Sequence, residues 1–160
     1  MQKYLGKITS KVSDVWRTDE LYLKVKGNNE YLFALMDDET RFWIAEQVAD
    51  KKNNSDIRPL FQEGTRVAGK EPNILISDGA RNFHHVFNKE FYTNTKPRTQ
   101  HIQNIRLQGD KNNNNNKMER MNEEVRDREK TMRGLKKPDT TILTGYQIYY
   151  NYLRPHEGLR

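Results

Sequence analysis

Three acidic side chains stand where a folded chain could bring them together. Asp19 interrupts an alternating, strand-like segment between Trp16 and Leu21. Asp78 directly follows the short apolar run Ile74-Leu75-Ile76-Ser77. Glu119 lies near the start of a strongly helical segment, beside its apolar stripe rather than opposite it. In an open α/β sheet, strand ends and a packed helix can converge on one cleft. Carboxylates gathered there repel one another, at a cost that cations relieve. A carboxylate site without thiols suits hard cations such as Mg²⁺ or Mn²⁺. Two such ions about 3.5–4 Å apart can polarise a phosphodiester, activate an attacking oxygen and stabilise a leaving one. That chemistry needs no covalent protein nucleophile, and the sequence offers no obvious one. Each acid also has a plain reading. Asp19 is then an exposed strand residue, Asp78 a turn acid before Gly79, and Glu119 a partner of its helix macrodipole.

The elements that would position these acids follow from periodicity. Val15, Leu21, Leu23 and Val25 mark a first strand over residues 16–26. Gly27-Asn28-Asn29 signals a turn. Residues 31–36 are continuously apolar, the pattern of a strand covered on both faces. Asp37, Asp38 and Glu39 are expected in a solvated hairpin turn, before a third strand at 42–45. Ser55 is expected to cap a helix whose residues Ile57, Leu60, Phe61 and Ala68 lead to Gly69, with Pro59 tolerated near its start. Residues 73–77 read as a buried strand, 80–89 as a short helix and 101–107 as another strand. The run Asn112–Asn116 reads as a loop.

Residues 116–135 form the clearest helix, with Met118, Met121, Val125, Met132 and Leu135 as its apolar stripe. Glu124/Arg128 and Glu129/Arg133 are expected i,i+4 pairs on its other side. Pro138 stops it. A last helix over 139–153 carries Ile142, Tyr146, Tyr149, Tyr150 and Leu153 on one face, expected to be core or else a dimer contact. The order βββ-α-β-α-β-α-α predicts a mixed α/β sheet sandwiched by helices.

Composition narrows the partners. At 160 residues, with 34% hydrophobic and 31% charged residues, the chain suits one core under a large polar surface. A formal charge of +6 favours polyanions, nucleic acid ahead of an anionic membrane. The absence of cysteine excludes disulfides, zinc–thiolate sites and thiol catalysis. No apolar run is long enough to span a membrane, and residues 1–13 lack an apolar signal core. A cytoplasmic, nucleoid-associated protein is expected.

Four segments then carry a resemblance. Trp16-Arg17-Thr18-Asp19-Glu20, Ile76-Ser77-Asp78-Gly79-Ala80 and Asn115-Asn116-Lys117-Met118-Glu119-Arg120-Met121-Asn122 resemble the three acid-bearing blocks of DDE transposases from prokaryotic insertion sequences. Residues 150–159, from Tyr150 through Arg154-Pro155-His156-Glu157, resemble the tail after the catalytic helix in many transposases and retroviral-type integrases. The blocks stand in family order and span most of the chain.

The resemblance implies a ribonuclease H-like α/β fold. Its mixed five-stranded sheet, three antiparallel strands followed by βα units, is flanked by helices. The catalytic core would be 1–137, with the C-terminal helix and tail of 138–160 packed on it. The resemblance further implies Asp19, Asp78 and Glu119 as catalytic ligands of two Mg²⁺ ions, with Mn²⁺ as a substitute. Water would first attack a phosphodiester at the element's end, and the freed 3′-hydroxyl would then attack target DNA. Double-stranded DNA is the implied partner and a homodimer on DNA the implied assembly. A nuclease that never joins strands, or a copy that only binds DNA, are the alternatives. Only 18 residues precede Asp19, too few for the upstream helix-turn-helix region usual in the family, so a fragment, an isolated core or a decayed copy is expected.

Basic residues crowd the long helix and its end. Lys117, Arg120, Arg126 and Lys130, with Arg106 before the Asn run, are candidates for phosphate contacts. Such contacts supply affinity and salt sensitivity rather than sequence choice. A solvated, ion-paired face is the alternative, above all for Arg128 and Arg133. His84 and His85 lack metal-site spacing and read as ordinary helix or loop residues, while His156 suits packing or an approach to the site.

Overall fold

Apolar residues on both faces of the central strands demand a cover on each side, and helices supply both. The computed structural model describes residues 11–96, 98–103, 116–138 and 141–155. The strands are β1 (Val15–Val25), β2 (Asn28–Asp37), β3 (Trp43–Ala49), β4 (Ile74–Ser77) and β5 (Gln100–Gln103). They form one sheet in the order β3-β2-β1-β4-β5. The first three pair antiparallel, whereas β4 pairs parallel with β1 and with β5. The helices are α1 (Asn54–Ala68), α2 (Arg81–Glu90), α3 (Asn116–Met132) and α4 (Thr141–Tyr152). The mixed sheet expected from the sequence is the one observed.

Each face has its own core. On one, Trp16, Phe33, Leu35 and Leu75 meet Ile57, Leu60 and Phe61 of α1 and Phe83, Val86 and Phe87 of α2. On the other, Leu21, Leu23, Val25, Leu32 and Met36 meet Met118, Met121 and Val125 of α3 and Leu143 and Tyr150 of α4. Each such side chain contributes about 1.5–3 kcal/mol by leaving water. Among the described residues, no helix is long and apolar enough to cross a membrane.

Several local expectations are corrected. Asn53, not Ser55, caps α1: Asp56 Oδ2 accepts the Asn53 N–H at 2.9 Å, so the acid three residues on completes the cap. The Asp37–Glu39 turn is not simply solvated. Asp37 is fully buried and accepts N–H groups from Ser13 and Thr40. Asp38 pairs with Arg17 and, at 3.0 Å, with Lys117. These acids anchor the end of β2 to the chain entering β1.

The end of α3 also differs. The helix stops at Met132, which is 37% exposed instead of completing the stripe. Arg133 and Gly134 turn with positive φ, and Leu135 docks on the sheet through hydrogen bonds with Lys24 and Lys26. A Cβ on Gly134 would stand 3.0 Å from the Lys24 carbonyl oxygen, so this close approach calls for glycine. The expected i,i+4 pairs give way to tertiary partners: Glu124 pairs with Arg154, and Glu129 accepts the Lys24 N–H at 2.6 Å.

On α4, Ile142 is exposed, as is Leu153 just beyond its end, while Leu143 and Tyr150 are buried. A polar clasp adds to the packing: Asn151 and Gln147 donate to the Trp43 carbonyl, and Asn151 Oδ1 accepts the Trp43 N–H. The strand expected at 101–107 is described only through Gln103, and the Asn112–Asn115 stretch lies outside the described residues.

Gly64 marks where α1 presses closest on the sheet. A Cβ there would collide with Leu35 Cδ2 and come within 3.3 Å of Trp16. Gly64→Val should therefore lower stability by about 1–3 kcal/mol, read as a drop in the urea midpoint at unchanged slope.

Candidate active site

The site begins with strand register. β4 pairs parallel with β1, matching Val15 to Ile74, Trp16 to Leu75 and Arg17 to Ile76. Side chains two apart share a face, and neighbouring strands lie about 4.8 Å apart. Two residues beyond the Arg17/Ile76 match stand Asp19 and Asp78, side by side on the α3 face. β4 ends at Ser77, and the chain turns there: Asp78 Oδ1 accepts the Ala80 N–H at 3.1 Å while Gly79 takes a positive φ. The sharp exit leaves the Asp78 carboxylate exposed at the C-terminal end of β4.

Asp19 is the more enclosed of the two. Its Oδ1 accepts the Glu20 N–H at 2.9 Å, and its Oδ2 accepts Asn122 Nδ2 at 2.9 Å. Burial, and after it the Asp78 carboxylate, push its pKa up to about 7, with smaller contributions from Glu20 and Glu119. Carboxylate oxygens of Asp19, Glu20 and Asp78 can lie within 4.8 Å of one another. Glu119 stands in the first turn of α3 and adds to the negative potential at Asp19, but it is outside that tight group.

Sequence reasoning missed two residues here. Glu20 joins the group from the strand position after Asp19 and is held by an ion pair with Lys52. Asn122 is buried, one turn beyond Glu119, and its Oδ1 has no hydrogen-bond partner among the described residues. A signal existed for Asn122: it is a polar residue at helical spacing with Met118, Met121 and Val125.

The candidate phosphate-binding residues divide. Lys117 is drawn into the fold, its Nζ donating to the Asp38 carbonyl at 2.7 Å and carboxylate at 3.0 Å. Arg120 and Arg126 are exposed on α3 and make no ion pair among the described residues. Lys130 is exposed, with a 3.5 Å contact to Asp127. Arg126 and Lys130 lie seven and eleven residues beyond Glu119, near multiples of the helical repeat, so all three share one side of α3. Arg106 and His156 lie outside the described residues. His84 is exposed on α2, its Nδ1 3.0 Å from that of His101.

Comparison with known proteins gives this geometry a context. Residues 13–155 match a family model described as a DDE domain. No curated protein sequence matches. Among solved structures, the trimeric form of the HTLV-2 integrase catalytic core domain in complex with magnesium superimposes with a TM-score of 0.63 at 15% identity, covering 91% of this chain and 90% of that one. The dimeric form of the same core gives 0.61 at 12% identity, covering 92% and 91%. The simian T-cell lymphotropic virus intasome in complex with PP2A regulatory subunit B56 gamma gives 0.54 at 14% identity, covering 95% of this chain and 47% of that one. The shared architecture is the ribonuclease H-like fold of integrase catalytic cores.

The raised pKa of Asp19 has a thermodynamic consequence. An acid whose folded pKa lies above its unfolded value binds its proton more tightly in the fold, so the stability this gives is present at low pH and lost as pH rises from about 4 to about 7. In the metal-free protein, Asp19→Asn should raise unfolding free energy by about 2–4 kcal/mol at pH 8 and by under about 1 kcal/mol at pH 4. Urea denaturation in EDTA at the two pH values measures this.

Proposed function

Because this chain belongs to the DDE domain family of transposases, enzymes of the polynucleotidyl transferase type, we propose that it cleaves DNA at the ends of a mobile element and joins the freed 3′ ends to target DNA. The reading rests above all on one observation: parallel pairing of β4 with β1 sets Asp19 beside Asp78, with Glu119 on the helix packed against them. The donor set suits divalent magnesium, because it is all oxygen, and burial together with repulsion from Asp78 already drives Asp19 toward protonation. The HTLV-2 integrase core, which shares this fold, is described in complex with magnesium.

Asp19, Asp78 and Glu119 would hold two Mg²⁺ ions, with Mn²⁺ as a substitute, and Glu20 is a further oxygen donor at the same spot. Bound there, the ions would supply charge stabilisation at the scissile phosphate and a water of lowered pKa. Asn122 holds the Asp19 carboxylate in one orientation through its 2.9 Å hydrogen bond, limiting its freedom to rotate. Arg120, Arg126 and Lys130 present cations for the phosphates of double-stranded DNA, and Lys117 stands at the head of the same helix. Two element ends must be joined in concert, so the working form is a homodimer on DNA, acting in the cytoplasm beside the nucleoid.

Asp19→Asn, Asp78→Asn and Glu119→Gln should each lower DNA cleavage and strand transfer by roughly three orders of magnitude, the equivalent of several kcal/mol. Circular dichroism should stay unchanged. Resolving labelled duplex ends and joined products on a denaturing gel with Mg²⁺ tests this. Wild-type joining by Asp78→Asn would end the proposal. Cleavage without joined products from the wild-type protein would make it a nuclease instead.

A further inference from the structure

Beyond the carboxylates, β1 has an edge that β4 leaves open until Leu135 bridges it at Lys24 and Lys26. β4 covers only Val15–Arg17, whereas β1 runs on to Val25. Helix α3 travels alongside this stretch, touching β1 near its start through Asn122 and Asp19 and near its end through Glu129 and Lys24. Between the two lies a groove of about 430 Å³, within the ~300–1,000 Å³ range of small-ligand sites. Resting on the proposed action on DNA, the geometry points to a single-strand subsite here: the groove receives an unpaired nucleotide and its flanking phosphates, with Tyr22 as the stacking surface and Lys24, Lys130 and Arg133 as the cations.

Charge favours a phosphate backbone. Lys24, Lys130 and Arg133 all line the groove and are exposed. The acid lining it, Glu129, is already engaged, with Oε1 accepting the Lys24 N–H at 2.6 Å. The only other acid near these cations in an ion pair is Asp127, at a loose 3.5 Å from Lys130 among the described residues. Three cations therefore face one occupied carboxylate.

The aromatic group specifies an unpaired base. Tyr22 is 53% exposed, an unusual state for a large ring on a central strand. Its position is set from one side by Tyr31, at 4.9 Å between ring centroids, and by Lys52 Nζ at 5.1 Å. Lys52 is the same residue that pairs with Glu20 of the carboxylate group. Tyr22 thus sits three residues along β1 from Asp19, on the order of 10 Å, its side chain on the opposite face of the sheet beside Glu20, whose carboxylate still comes within 4.8 Å of the Asp19 carboxylate. A positively charged groove carrying an exposed ring is the general means of holding single strands without reading sequence, since every base has a face to stack. Bases inside a duplex are hidden from such a ring. Unpairing costs least at a frayed or already cut end, which is what a strand-cutting site produces.

A fluorescein-labelled dT12 oligonucleotide is a direct probe. Tyr22→Ala should weaken its binding about tenfold, and Tyr22→Phe should keep it within about twofold. Lys24→Gln and Lys130→Gln should each lower the slope of log affinity against log salt by about 0.7. With 5-iododeoxyuridine in the oligonucleotide, photocrosslinking to the wild-type protein should map to Tyr22. Equal dT12 affinity for wild type and Tyr22→Ala, or a crosslink that maps elsewhere, overturns the inference. If Tyr22→Ala does not fold, the wild-type crosslink alone decides. Duplex joining assayed on the same preparations separates the two claims: joining by Asp78→Asn sinks the catalytic reading only, while normal wild-type joining with dT12 binding indifferent to Tyr22→Ala sinks this subsite only.

Discussion

The parallel pairing of β4 with β1 is the contact on which the site depends. A three-residue match, Val15–Arg17 against Ile74–Ile76, is enough to set Asp19 beside Asp78 on one face. A slip of one residue would send one of the two carboxylates to the opposite face of the sheet. The match is held by burial on both sides, with Trp16 and Leu75 in one core and the α3 helix across the other face. Long-range hydrophobic packing therefore sets the spacing of two charged groups.

That arrangement is electrostatically unfavourable taken alone. Asp19 is enclosed, faces Asp78 and feels Glu20 and Glu119, and its carboxyl is pushed up to about 7. The fold compensates nearby rather than at the carboxylate itself. Lys52 neutralises Glu20, Arg17 and Lys117 neutralise Asp38, and Asn122 offers Asp19 a neutral donor. No cation of the described residues forms an ion pair with Asp19 or Asp78. The negative potential is thus left concentrated where a divalent cation would use it.

Helix α3 links this chemistry to the surface around it. Its first turns bring Glu119 and Asn122 to the carboxylates, and its last turns reach the far end of β1 through Glu129. Glu129 and Glu124, which local spacing would pair with Arg133 and Arg128, are spent on fixing the helix to β1 and to the α4 end instead. The arginines released from those pairs change role: Arg128 lies over the Tyr146 and Tyr149 rings, and Arg133 lines the groove.

Much of this was legible from residue order. Strand alternation, the apolar run of β2, the glycine after α1 and the methionine stripe of α3 are local signals, and they foretold the element order and the mixed sheet. The three acids stood out because each interrupts, follows or opens such an element. What the chain alone left open were the partners. Asn122 meets Asp19 across 103 positions and Glu129 meets Lys24 across 105, and no local periodicity encodes contacts at that separation. For the same reason the buried Asp37, the clasp of Asn151 on Trp43 and the exposure of Met132 departed from their local patterns. Residue type and spacing determined which groups could do chemistry; strand register and helix docking decided which of them meet, because only the folded core brings distant segments within hydrogen-bonding and Coulombic range.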